Sequence, residues 1–124
     1  MRFPLVAAAA ALASPAAAGS APAAEVAISI SIPVAGGTRV DSASAAYDCD
    51  GRAVTATYIN AGEVSLAVLD IAGETVVASN VVAASGARYV GGRYVWWTKG
   101  EEADLYDLMQ GGEDTPAAHC VAAR

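Results

Sequence analysis

The chain has a single lysine, Lys99, in the stretch "WWTKG", directly after both of its tryptophans, Trp96 and Trp97. Upstream lies "SGARY", running from Ser85 through Gly86 and Arg88 to Tyr89. An ammonium supplies three hydrogen-bond donors and a positive charge, and a serine hydroxyl both donates and accepts. A buried lysine is costly, and an exposed tryptophan pair is unusual. So Lys99 is either the solvated end of an apolar strand or a group directed at something outside the protein. A salt bridge to nearby Glu101 or Glu102 is the plainer alternative, and a surface pair of that kind contributes little.

Other residues give catalysis little support. The one histidine, His119, adjoins Cys120. There is no nucleophile elbow and no cluster with metal-ligand spacing. "DCDG", Asp48 to Gly51, has the start of a calcium loop without its remaining ligands. Glu101 and Glu102 are adjacent, and neighbours on a strand face opposite ways. The expectation is a protein that is not an enzyme and that needs no cofactor or metal.

The elements that position Ser85 and Lys99 are read from "SGARYVGGRYVWWTKG". Gly91-Gly92 predicts a two-residue hairpin turn, since both residues tolerate positive φ. That register sets Ser85 opposite Thr98 and Lys99 opposite Ala84. Gly86 and Gly100 follow Ser85 and Lys99 and permit sharp exits. Alternation sends Tyr94, Trp96 and Thr98 to one face and Val95, Trp97 and Lys99 to the other, with at least one tryptophan packed inward. Tyr89 fits a rim or a core position, and Arg93 reads as a solvated strand residue.

Around this hairpin the chain reads as all-β. Residues 26–32 alternate apolar and small polar side chains, as a half-buried strand does. Residues 39–46 fit a linker or a further strand. Strands follow at 53–59, 64–71 and 75–83, separated by turns at "NAG" and "AGE". Residues 101–109 fit a short helix or a strand. Such a meander avoids bare edges by closing into a barrel.

Residues 1–24 read as a secretory signal peptide: a positive start, a short apolar run and small residues, with cleavage between 18 and 24. Residues 25–45 form an N-terminal strand or arm and 46–124 the barrel domain. No later apolar run is long enough for a transmembrane helix. The first cysteine is Cys49, far from the cleavage region, which predicts a soluble periplasmic or secreted protein of a Gram-negative bacterium without a lipid anchor. Without Arg2 the chain carries 6 basic against 13 acidic residues, a formal charge of −7. This disfavours nucleic acid and anionic lipid and favours a basic partner. An oxidising compartment favours a disulfide between Cys49 and Cys120.

"SGARY" followed by "WWTKGEEADL", framed by Tyr47-Asp48-Cys49 and by Cys120, resembles the MliC/PliC family of bacterial inhibitors of C-type lysozyme. The resemblance spans roughly 46–120. It implies an antiparallel barrel of about eight strands, a disulfide matching Cys49–Cys120 and a C-type lysozyme as partner. It also implies that Ser85 and Lys99 enter the catalytic cleft; Gly86, Arg88, Tyr89, Thr98 and Gly100 around them are further candidate contacts, Arg88 and Tyr89 at the rim. The other reading is a periplasmic barrel that binds a small ligand, with the tryptophans lining its cavity.

Overall fold

The computed structural model describes residues 2–4, 9–13 and 26–123. The chain divides into two units, Met1–Ser31 and Ile32–Arg124. The described residues of the first form no helix or strand, and the expected cleavage region lies outside the described residues. The second unit holds eight strands: β1 (Val40–Cys49), β2 (Arg52–Ala61), β3 (Val64–Ile71), β4 (Glu74–Val81), β5 (Ala87–Gly91), β6 (Tyr94–Lys99), β7 (Glu102–Asp107) and β8 (Ala118–Ala122). They pair antiparallel in chain order, and β8 returns to β1, so the sheet is a closed barrel.

Tight turns make this meander possible. Asp50-Gly51 and Ala72-Gly73 both have positive φ at each position, the geometry that matches strand twist in a two-residue hairpin. Each follows an aspartate whose carboxylate accepts the turn glycine's N–H: Asp48 from Gly51 at 2.8 Å, and Asp70 from Gly73 at 3.0 Å. The "DCDG" stretch is therefore a turn device, repeated in "DIAG".

Every second strand residue points into the barrel, and the interior is filled. Trp96 is fully buried among small side chains, including Ala56, Ala67, Ala78 and Ala103. Its ring meets Tyr47 edge to face, with centroids 4.9 Å apart. The indole Nε1–H donates to Tyr58 Oη at 2.9 Å, and Tyr58 Oη shares a 2.8 Å hydrogen bond with Tyr47 Oη. Burial, reinforced by the Tyr47 contact, pushes the Tyr58 phenol well above its usual range, so it stays neutral. Tyr89 is also core, against Tyr58.

The β5–β6 hairpin departs from the expected register. Gly91 pairs with Tyr94, so the turn is Gly92-Arg93 rather than Gly91-Gly92. The reason lies across the sheet. A Cβ on Gly91 would stand 2.3 Å from the Val77 carbonyl oxygen, so glycine is needed there for close approach to β4. The shift sets Ala87, not Ser85, opposite Thr98. Arg93 is likewise no free solvated residue: its guanidinium bonds both Asp107 oxygens, at 2.8 and 2.5 Å. That fork holds the Asp107 carboxyl below its usual pKa.

One further expectation changes. Residues 26–32 form no strand, and Val26, Ile28 and Ile30 are exposed. Alternation supplies a face, but a strand also needs an edge, and a closed barrel presents none. Residues 39–46, read as a linker or a further strand, are strand from Val40 onward and open β1. Residues 101–109 resolve as strand β7 between the turn at Gly100 and Glu101 and the loop after Asp107.

Cys49 and Cys120 face each other across the β1–β8 seam and form a disulfide. With 71 residues of separation, the cross-link contributes about 4 kcal/mol in the chain-entropy account. Replacing both cysteines by alanine should lower the urea-unfolding free energy by roughly that amount, about 4 kcal/mol. Trp96→Phe should cost about 1–3 kcal/mol, because Tyr58 loses its indole donor; equilibrium unfolding measures it.

Candidate functional site

Ser85 and Lys99 lie at the same end of the barrel. Ser85 is in the 82–86 connection ahead of β5, and Lys99 ends β6 before the turn at Gly100 and Glu101. Both side chains are exposed. Among the described residues, the Lys99 ammonium forms no ion pair and the Ser85 hydroxyl no hydrogen bond. The salt bridge to Glu101 or Glu102 weighed from the sequence is not formed by Lys99.

The connection is held against β6 from two sides. Trp97 lies on the outer face, where its Nε1–H donates to the Ser85 carbonyl oxygen at 2.8 Å. Gly86, with φ of +67°, sits where a Cβ would be 2.3 Å from the Thr98 carbonyl oxygen and 2.8 Å from Lys99 Cγ. Only glycine fits both the dihedral and the space. Gly86, next to Ser85 in the chain, thus lies against the Lys99 stem, although not through the expected ladder. Thr98 is half-buried, and its hydroxyl donates a long 3.4 Å bond to the Ala87 carbonyl. Gly100 opens the β6–β7 turn with φ of +57°.

Two of the candidate residues also make contacts within the chain. Tyr89 is a core side chain. Arg88 lies along the outer face, ion-paired with Glu113 and 5.7 Å from the Trp97 ring centroid. It braces the tryptophan from the side opposite Asp104, which is Trp97's cross-strand partner on β7.

The outer face of β6–β8 carries a feature that sequence reasoning passed over. Trp97, Lys99, Glu102, Asp104, Tyr106 and His119 line an open groove of about 200 Å³. His119 Nδ1 is 2.8 Å from Asp104 Oδ1, and Nε2 is 3.5 Å from Glu102 Oε1. Asp104 chiefly, with Glu102 adding to it against the opposing effect of burial, raises the imidazole pKa above its ordinary value. His119 therefore does more than adjoin the disulfide. The only signal in the sequence was the Glu-x-Asp spacing, and the β7–β8 register that brings His119 beside it was not readable. Among the described residues no group of three or more His, Cys, Asp or Glu side chains is arranged to hold a metal ion.

Comparison with known proteins places the chain among named relatives. The family described as membrane-bound lysozyme-inhibitor of c-type lysozyme, MliC, matches residues 47–114. A Pseudomonas aeruginosa protein named membrane-bound lysozyme inhibitor of C-type lysozyme is 48% identical over 87 residues, 68% of each chain. One of the same name from Cupriavidus necator is 51% identical over 78 residues, 61% of this chain and 62% of that one. The crystal structure of Pseudomonas aeruginosa MliC in complex with hen egg white lysozyme superposes with a TM-score of 0.63 at 40% identity. It covers 80% of this chain and all of that one. With the closed eight-stranded barrel, the seam disulfide and the family match over more than half its length, this chain belongs to the MliC family.

Proposed function

We propose that this chain is a proteinaceous inhibitor of C-type lysozyme, a binder rather than an enzyme, acting through Ser85 and Lys99. The observation that carries the reading is the clamped juxtaposition of the two. Trp97 holds the Ser85 carbonyl, Gly86 seats against the Lys99 stem, and the ammonium has no ion pair among the described residues. Relatives named as inhibitors of C-type lysozyme, and one solved with hen egg white lysozyme, supply the target class.

The chemistry follows from the target. A retaining glycosidase holds two carboxylic groups about 5 Å apart, one protonated as general acid and one ionised. An ammonium inserted between them favours the ionised form of both and lowers the pKa of the acid. A serine hydroxyl accepts from whichever group keeps its proton or donates to the one that has lost it. The inserted loop also excludes the polysaccharide. A pre-clamped loop loses little entropy on docking, so more of the contact energy appears as affinity.

The barrel's own interior argues against the small-ligand reading. Trp96, Leu69 and Leu105 fill it, and the void beside Val54, Ile71 and Leu105 is about 10 Å³, room for no more than a water. The relatives are named membrane-bound. Detergent-phase partitioning of the expressed chain tests whether it is membrane-associated as those names say or a soluble exported form.

Adding the oxidised protein to a C-type lysozyme clearing bacterial cell walls should slow the loss of turbidity. Lys99→Ala should weaken inhibition by about 2–5 kcal/mol if the charge pair is desolvated in the cleft, and Ser85→Ala by less. Equal potency of wild type and Lys99→Ala would sink the mechanism. Gly86→Ala, with its strained φ and its clash at Thr98, should displace the Ser85 loop and reduce inhibition about tenfold or more while the barrel stays folded by circular dichroism. Trp97→Phe, which removes one hydrogen bond of about 0.5–1.5 kcal/mol, should lie between Gly86→Ala and wild type.

A further inference from the structure

Lys99 shares its surroundings with a second basic group. Its cross-strand partner on β7 is Glu102, and both line the groove that also holds Trp97, Asp104 and His119. On the other side of β7, Asp104 pairs with His119 of β8. Glu102 therefore stands between Lys99 on β6 and His119 on β8. In the structure its carboxylate goes to the imidazole, 3.5 Å from Nε2, while Lys99 is without an ion pair among the described residues.

We propose that Glu102 and His119 are positioning residues for Lys99: protonated His119 engages Glu102 and leaves the ammonium free for the partner, whereas neutral His119 releases Glu102 to draw Lys99 back onto its own surface. This rests on the reading of Lys99 as the group offered to the lysozyme. The arrangement makes inhibition strongest on the acidic side of the His119 titration.

The electrostatic neighbourhood is accounted for on each side. Facing His119 are Asp104, Glu102 and the Tyr106 phenol from β7 and Lys99 from β6. From the β1–β2 hairpin come Asp48 and Asp50. The Asp50 carboxylate accepts the His119 backbone N–H at 3.1 Å, and that of Asp48 is engaged by Gly51. Opposite Lys99 on β7 is Glu102, and Glu101 lies in the turn between them; ahead of β5, Ser85 and Gly86 are uncharged, and the nearest charge on β5, Arg88, is ion-paired with Glu113. Asp104, at 2.8 Å, stays with the imidazole in either form as a hydrogen-bond partner. Glu102, more distant, is the carboxylate whose allegiance changes when the imidazole loses its charge. The raised pKa of His119 brings that change up toward neutral pH.

The test is affinity for hen lysozyme by titration calorimetry at pH 5.5, 7.0 and 8.5 in about 0.15 M salt, where long-range steering is largely screened. Wild type is measured beside Glu102→Gln and His119→Gln. The target's own carboxyl groups titrate identically in every arm, so the differences between arms carry the result. Across this range wild type should lose about two- to fivefold more affinity than Glu102→Gln, the scale of one exposed ion pair. His119→Gln should match high-pH wild type throughout. Parallel profiles for all three proteins would overturn the proposal. So would side-chain NMR of the free protein in which the Lys99 Nζ and Glu102 carboxylate signals ignore the His119 titration. Failure of wild type to bind at any pH, with those signals coupled, would instead count against the lysozyme reading and with it the purpose assigned to the coupling.

Discussion

Closure at the β1–β8 seam is the constraint on which the remaining structure depends. The two strands share only three paired positions, from Tyr47 and Ala122 to Cys49 and Cys120. The disulfide fixes one end of that short ladder, and Ala123 N–H donates to the Ala46 carbonyl at the other. Without the seam, both strands would be open edges on a sheet of eight. The consequence reaches the far side of β7. Ala122 N–H donates to the Glu101 carbonyl at 2.7 Å, so the closing strand also holds the turn that follows Lys99. His119, on the same strand, reaches the β1–β2 turn through Asp50. The seam is therefore part of the frame that sets where β6 ends.

Within that frame, adjacent tryptophans have opposite roles. Trp96 occupies the interior, and alanines around it make room for a side chain of that size. A filled interior leaves no chemistry inside the barrel, so recognition falls to its ends and outer face. Trp97 belongs to that outer face. One edge of its indole holds the Ser85 carbonyl, its ring meets Arg88, and Asp104 lies opposite on β7. Arg88, Trp97, Asp104 and His119 make one continuous cross-strand row over β5 to β8. That row gives the Ser85 loop a rigid backing in place of a single hydrogen bond.

Much of this was legible in the residues. Regular turns and alternating strands gave the meander, and "SGARY" with "WWTKG" located the exposed end. What escaped was set by contacts between segments distant in sequence. A Gly-Gly pair reads locally as a turn, and only the approach of β4 to Gly91 moves the turn to Gly92-Arg93. Residues 26–32 have the alternation of a strand, but pairing depends on an available edge. The histidine cluster depends on the β7–β8 register, which the long 108–117 connection leaves open to sequence reasoning.

On the proposed reading, the charge distribution resolves an apparent conflict. An acidic chain with one lysine attracts a basic partner from a distance, yet the group it inserts is positive. The two effects act at different ranges. Beyond about 8 Å at physiological salt, individual charge pairs are screened, and what salt leaves of the summed field steers encounter. Within the cleft the nearest charges dominate, and the partner's carboxylic groups meet one ammonium beside the uncharged Ser85 and Gly86, with the β5 charge of Arg88 already paired to Glu113. A second exposed cation beside Lys99 would strengthen the local contact but weaken the steering field. A carboxylate fully paired with Lys99 would do the reverse. An ammonium kept unpaired by diverting Glu102 toward His119 preserves both.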